Sequence, residues 1–547
     1  MRSHKVQTVL KPSGFLLILF LYFWLGTKDL YIDVINPDGI NWHNRTNAFV
    51  TALKEGKYSD TFQVYHPGIT LMWISGPVLN LFHNNQISDV TSDEAKTTFL
   101  ERDYYAKLSL VIFSLVIFAV TFVVLWKLVN YKFAFIFSIF FIFEPFVLGM
   151  RRLYHLDYLM TTLVFLGFTL VVYFSYKSQK WFLLPLAGLC FALAVLTKSS
   201  AVMVLCAVPF IFFLGDAAWY KKLTALFVFI VSTVLFLYAF FPPVWKDPVK
   251  SFPGYYKKIA FGVSDIGIAG KREIGTSGKG ESTVLEKTLK DKGNLFYLSS
   301  LFVRLSLAGS ALLIITISIG FYFFLKEFFL FIGRIIKNKK IPKEYKFPPG
   351  VWLSFWSFCL SVAIMIALTL AVKKSDRYIV LIFPFLFVLI SYFLSNIDKK
   401  LSVVFAVVYL AVVGYELKEI HPYYAAYSNP YFGGLETRLN VFDNAPFGIG
   451  IYEAFQIVKK DMESNDYNGY YTISGPKSIK AISEGGRFSL YPSCVTDYSV
   501  VFGLEDQPTD RCAQKYEKIG SVNISGLDYW NVYKRLSQKH ESNHYSE

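Results

Sequence analysis

Apolar runs long enough to cross a bilayer recur along most of this chain, and they constrain its fold more than any other feature. A spanning helix needs about 20 mostly apolar residues. Segments of this kind lie at 13–31, 107–126, 133–150, 154–174, 181–197, 200–215, 222–241, 299–325, 350–372, 377–395 and 401–416, eleven in all, with 181–215 also readable as one re-entrant pair. Of the 547 residues, 54% are hydrophobic and 17% charged, against about 25% charged in soluble domains. A soluble globular fold is therefore excluded, and the expected class is a mainly α, polytopic membrane helix bundle. The stretch 68–82 is short and interrupted by Pro77, which suits an interfacial helix better than a span.

Lys and Arg set the expected orientation. Arg2, Lys5 and Lys11 precede the first apolar run, no small-x-small cleavage site follows it, and a retained anchor with a cytoplasmic N-terminus is expected. The same side then receives Lys127, Lys132, Lys177, Lys180, Lys221, Lys222, Lys399, Lys400 and the connection 326–349, with seven basic and two acidic residues. On the opposite side, 29–106 carries five basic and ten acidic residues and 418–547 thirteen basic and sixteen acidic. The net charge of +15 is thus explained by the inner rim, and no nucleic-acid partner is needed. The connection 242–298, ten basic against six acidic, runs the other way, as long translocated loops are free to do.

Two parts are expected. Residues 1–417 form the transmembrane body, with outer loops 32–106 and 242–298. Residues 418–547 lose the long apolar runs and read as a small extracytoplasmic α/β domain, with a helix at 451–462 and strands at 470–473, 498–502 and 529–533. Cys190, Cys206 and Cys359 fall in apolar runs and serve as fillers, whereas Cys494 and Cys512 lie on the oxidising side and form a disulfide candidate. The Gly-rich 267–280 follows no strand and lacks the phosphate-loop pattern, so no nucleotide site is assigned to it.

Polar constellations stand at the outer ends of the apolar runs. Asp38, between Pro37 and Gly39, reads as a turn residue at the membrane surface; its carboxylate can be a general base for an acceptor hydroxyl, or only a turn former. Arg45 and Gln63 share the same polar connection. Tyr65 and His66 precede Pro67-Gly68 at the start of the interfacial helix, where a phosphate or sugar hydroxyl could be held. Glu144 falls near a span end, where an ionisable group is a functional candidate. Arg151 and Arg152 oppose the positive-inside bias, as a bound lipid phosphate would explain, and His155 with Asp157 is a weak divalent-cation pair. Lys198 and the cluster around Arg377 complete the outer set.

Taken in order, the blocks "YHPGITLMW", "RRLYHLDYLMTT", "LAVLTKSSA", "SDRYIVLIFP" and "HPYYAAYSNPYFGG…GIGIYEAF", after an acid behind the first span, resemble the GT-C class of membrane glycosyltransferases. They are most similar to family 39, the protein O-mannosyltransferase and aminoarabinose-transferase relatives. The resemblance implies transfer of a sugar from a polyprenyl- or dolichyl-phosphate donor, with inversion, to a protein, lipid or glycan acceptor at the outer face. By the same resemblance Asp38 matches the first acid of the family's Asp-Glu pair and would be the base, with Gly39 where the Glu is usual. Asp157 resembles the second family acid, and Lys198 and Arg377 would contact the donor phosphate. No cofactor is fixed, a divalent cation (Mg, Mn or Zn) being left open. Two rivals remain at this point: a transporter or flippase of a lipid-linked or anionic solute, and a GT-C enzyme that transfers a whole glycan.

Overall fold

The computed structural model describes residues 2–64, 66–82, 98–215, 217–248, 253–255, 257, 293–320, 347–371, 374–436, 439, 447–465, 470–484, 486–503, 507–508 and 515–536, with side chains from residue 12 onward. The Gly-rich 267–280, Tyr65, Lys373 and Cys512 lie outside the described residues.

Fifteen of the described helices build the body and position the site. They are α1 (Arg2–Thr27), α2 (Pro37–Lys54), α3 (Ile69–Phe82), α4 (Phe99–Leu128), α5 (Tyr131–Phe143), α6 (Pro145–Arg151), α7 (Leu156–Tyr173) and α8 (Leu183–Thr197). There follow α9 (Trp219–Phe240), α10 (Phe296–Arg304), α11 (Leu307–Gly320), α12 (Pro349–Leu370), α13 (Phe383–Asn396), α14 (Lys399–Ile420) and α15 (Ile451–Ser464). Among the described residues seven segments are long and apolar enough to cross a membrane, and α5 with α6, bent by 72° at Glu144, makes an eighth. The other three apolar runs correspond to shorter helices: α8, Ser199–Leu214 and α11.

The helix starts follow from local chemistry. Asn130 accepts from Phe133 N at 2.9 Å to open α5, and Asp398 accepts from Lys400 N and Leu401 N to open α14, each meeting donors that have no intrahelical partner. The span containing α7 lies at the centre, 94% buried. It packs on α4 and α8, so beyond Asp157 and three threonines its side chains are apolar on every face, as a helix with no lipid or water face requires.

Beyond α14 the chain forms a five-stranded mixed sheet of β1 (Tyr471–Ser474), β2 (Gly486–Ser489), β3 (Tyr498–Phe502), β4 (Tyr516–Ile524) and β5 (Leu527–Arg535), in the order β2-β1-β3-β5-β4. β1 pairs parallel with β2 and β3, while β5 pairs antiparallel with β3 and β4. The β4–β5 hairpin turns on Ser525 and Gly526, both at positive φ, the geometry that matches strand twist in a two-residue turn. α15 packs its Phe455 and Val458 against this sheet. The helix and three strands expected here are present; β2 and β4 were not legible beforehand.

Candidate active site

The sequence Asn36-Pro37-Asp38 opens a helix. Asn36 Oδ1 accepts from Asp38 N at 2.9 Å, Pro37 takes the first helical position, and Asp38 sits in the first turn of α2. The isolated tight turn expected at Pro-Asp-Gly is therefore replaced by a capped helix start, because proline's missing N–H and fixed φ suit that position equally well. The Asp38 carboxylate also benefits from the positive end of α2.

Three pieces distant in sequence converge on Asp38. Its Oδ2 accepts from Arg377 Nη1 at 2.8 Å and lies 3.5 Å from His155 Nε2. His155 caps α7, and its Nδ1 lies 3.3 Å from Asp157 Oδ2. Asp157, buried in the first turn of α7, pairs with Lys198 Nζ and stands 3.6 Å from Arg377 Nε. Lys198 caps the C-terminal end of α8 and lies 4.1 Å from the Tyr378 ring. Each residue stands where a helix starts or stops: α7 begins here, α8 ends here, and a 3-10 turn at Asp376–Ile382 leads into α13. The cluster therefore occupies one end of the bundle and not its middle.

Electrostatics keep Asp38 ionised. Burial by itself would raise the Asp38 carboxyl, but the His155 hydrogen bond and the Arg377 charge more than offset it and hold it well below the usual carboxylate range. The Asp38 side chain is 41% exposed, unlike Asp157 at 2%, so it alone of the two acids presents its oxygen to solvent. It opens onto a cavity of 220 Å³ whose lining includes Arg377, Ser375, Met150, Arg304 and Phe447.

Behind the cluster a second set of buried polar groups holds α2 in place. His43 Nε2 bonds Asp103 Oδ1 at 2.9 Å, Asp103 Oδ2 pairs with Lys107 at 2.5 Å, and Lys107 Nζ donates to Val34 O at 3.0 Å. Tyr154 OH bonds both Thr46 and Ser75, and burial pushes that hydroxyl up to about 12, so it remains a neutral hydrogen-bonding group.

The other sequence candidates have separate fates. His66 Nδ1 reaches Ser199 Oγ at 3.5 Å, next to Lys198, and Gly68 N donates to Thr197 O. Gly68 must lack a side chain: at φ +62° its Cβ would lie 2.1 Å from the Trp42 ring. Arg45 stacks on Trp42 at 4.5 Å, and Gln63 Nε2 donates to the Arg45 carbonyl at 2.9 Å. Arg152 is fully buried, bonded to Asp33 at 2.6 Å and to the carbonyls of Leu25 and Lys28. Arg151 is buried over the Tyr22 ring at 4.0 Å. Neither arginine is open to a lipid phosphate; both are sequestered by the first helix and its exit. Glu144 accepts from Ser306 N, from Ser306 Oγ at 2.9 Å and from Tyr409 OH at 3.1 Å, while Ser306 Oγ accepts from Gly309 N at 3.0 Å to cap α11, so the place of Glu144 at a span end is explained by its hold on that cap. Cys494 is disulfide-bonded.

For a divalent cation, the two suggested ligands do not fit. Asp157 is already neutralised by Lys198 and Arg377, and His155 lies between two carboxylates, Asp38 and Asp157. Among the described residues no group of three or more His, Cys, Asp or Glu could hold a metal ion.

Sequence reasoning missed the buried Arg304–Asp376 pair (2.9 Å from Nε) and Phe447, both on the cavity wall. Asp376 stood within the 373–378 cluster, but nothing in the sequence pointed to Arg304 as its partner. Phe447 carried no signal.

Comparison with known families finds a match over part of the chain. Residues 59–246 match the family described as dolichyl-phosphate-mannose-protein mannosyltransferase. That segment contains His66, His155, Asp157 and Lys198; Asp38 and Arg377 lie outside it. The glycosyltransferase resemblance read from the sequence is thus borne out there, in a chain with multiple membrane-length helices. Similar solved structures include ArnT from Cupriavidus metallidurans in the apo state (13% identity, 88% of this chain and 75% of that chain, TM-score 0.46). ArnT from the same organism bound to undecaprenyl phosphate is 10% identical over 97% of this chain and 98% of that chain, with TM-score 0.46. The oligosaccharyltransferase AglB from Archaeoglobus fulgidus, in complex with an inhibitory peptide and a dolichol-phosphate, is 10% identical over 90% and 69%, with TM-score 0.37. No curated protein matches the chain.

Proposed function

We propose that the protein transfers a sugar from a polyprenyl- or dolichyl-phosphate donor to an acceptor hydroxyl at the outer membrane face, with inversion at the anomeric carbon. The observation that carries this reading is the half-exposed Asp38 carboxylate at a cavity mouth, set beside Arg377 and the Lys198–Asp157 pair at one end of the bundle.

A donor of this kind stays in the bilayer, since each buried CH₂ contributes roughly 0.8 kcal/mol. Its phosphate therefore meets the protein at the level of the helix ends, where Arg377 and Lys198 stand. The acceptor oxygen attacks C1, its proton passes to Asp38, and the C1–O bond to phosphate breaks with the electron pair leaving on the lipid phosphate. Arg377 and Lys198 stabilise the charge that develops on it. Binding has a further consequence for the base. In the free protein Arg377 holds Asp38 as a weakly basic ion pair; an arriving phosphate competes for that guanidinium and lets the carboxylate regain basicity. His155 and Asp157 position the pair, with His66 and Ser199 flanking the phosphate side.

A transporter would place its charges near the bilayer midplane, in broken or repeated helices; a cluster confined to one set of helix ends suits catalysis on a membrane-bound donor. The test is to supply the purified protein with polyprenyl-phosphate-mannose and a pool of outer-face acceptors. Release of free polyprenyl phosphate, with a product of inverted anomeric configuration by NMR, is expected. Retention of configuration, or movement of intact donor across the membrane with no release, would refute the reading.

A further inference from the structure

We propose that Phe447 and Gly448, at the entry to the C-terminal sheet region, are positioning residues that fix both the base loop and the guanidinium beside it. The inference rests on the transfer reading above.

Gly448 holds the base loop. Ile35 N donates to the Gly448 carbonyl at 3.1 Å. The next residue, Asn36, caps the helix that carries Asp38. Gly448 stands at φ +76°, and a Cβ there would lie 1.8 Å from the Ile35 carbonyl oxygen, a clash with backbone that no rotamer relieves. The segment is itself tied to the sheet: Trp530 Nε1, on β5, donates to Ile449 O at 2.6 Å. A continuous path of bonds therefore runs from β5 through Ile449 and Gly448 to Ile35, Asn36 and Asp38.

Phe447 acts from the other side. Its ring lies 5.1 Å from the Arg377 guanidinium and edge-on to His155 at 6.3 Å, the two groups that hold the Asp38 carboxylate. It also lines the reaction cavity together with Ile449. Phe447 has φ +47°, a left-handed conformation that costs a non-glycine residue free energy and persists only where surrounding packing over-determines it. Held there, the ring face orients the guanidinium plane through its quadrupole, so that Nη1 faces Asp38 while Nε faces Asp157.

The two residues predict opposite kinetic signatures. Phe447→Leu keeps apolar bulk and removes the ring face, so donor KM should rise ~3- to 10-fold with a smaller change in kcat. Its acid-side loss of rate should also move to higher pH, because Asp38 is less well held. Phe447→Tyr should restore both. Gly448→Ala displaces the base loop, and kcat should fall ~100-fold with donor KM little changed. The assay is release of polyprenyl phosphate from polyprenyl-phosphate-mannose, with Asp38→Asn run in parallel. Wild-type kinetics in Phe447→Leu while Asp38→Asn is inactive would overturn the inference and leave the transfer reading standing. Equal loss in Phe447→Leu and Phe447→Tyr in folded protein would also overturn it. Full turnover in Asp38→Asn would instead remove the reading on which it rests. If Gly448→Ala does not fold, the Phe447 pair decides.

Discussion

At the scale of single residues, the account turns on how Asp38 is held. Its carboxyl in the folded protein lies below the ~3.9 of an unperturbed aspartate, because His155 and Arg377 favour the charged form more than burial disfavours it. The folded state then binds fewer protons than the unfolded chain once the pH falls below that ordinary value. The associated stabilisation is present above ~pH 4 and is lost as the pH falls further toward the folded value. Wild-type transfer should therefore show no loss of the base between ~pH 5 and 8. Arg377→Ala removes part of what holds the carboxyl down, so its acid-side loss of rate should move to higher pH. A pH–rate profile of that variant superimposable on wild type would contradict the assignment. Asp38 was legible as a candidate because an acid beside an apolar run demands a reason. Its setting was not, since Pro-Asp-Gly reads equally as a turn or as the first turn of a helix. What decides is Asn36 Oδ1 on Asp38 N and the bond from Ile35 to Gly448, more than 400 residues away in the chain.

At the scale of elements, buried charge pairs decide how the exit of α1 is fixed. Arg152 reaches Asp33 and two carbonyls at the end of the first helix. Arg152→Met leaves Asp33 buried without its partner and should cost ~3–5 kcal/mol. Thermal unfolding in detergent should show that loss, and Asp33→Asn combined with Arg152→Met should recover part of it, since no charge is then left unpaired. An additive double variant would mean that the two do not act as a pair. The same reasoning explains why Glu144 and Arg152 misled as ligand candidates. An ionisable group at a span end signals a constraint, but the sequence does not say whether the partner is substrate or protein. For Glu144 the partner is Ser306, 162 residues on.

At the scale of the whole molecule, hydropathy made the helical body legible, and the small sheet followed from the change of period after α14. The number of crossings was less legible. Helices such as α8 are apolar because neighbours cover them, so apolarity alone does not separate a span from a buried short helix. Orientation is a consequence that can be tested. In a background lacking Cys190, Cys206 and Cys359, Asn523→Cys should react with a membrane-impermeant maleimide in intact cells, and Lys221→Cys only after lysis. The reverse pattern would place the cluster on the other face. The central claim is that one carboxylate at the bundle end accepts the acceptor's proton while a lipid phosphate departs. The most direct measurement is the single-turnover rate of polyprenyl phosphate release by Asp38→Asn, in protein shown to be folded and to bind donor. A fall of ~100-fold or more is expected, within the range for loss of a general base. A rate equal to wild type would contradict the account.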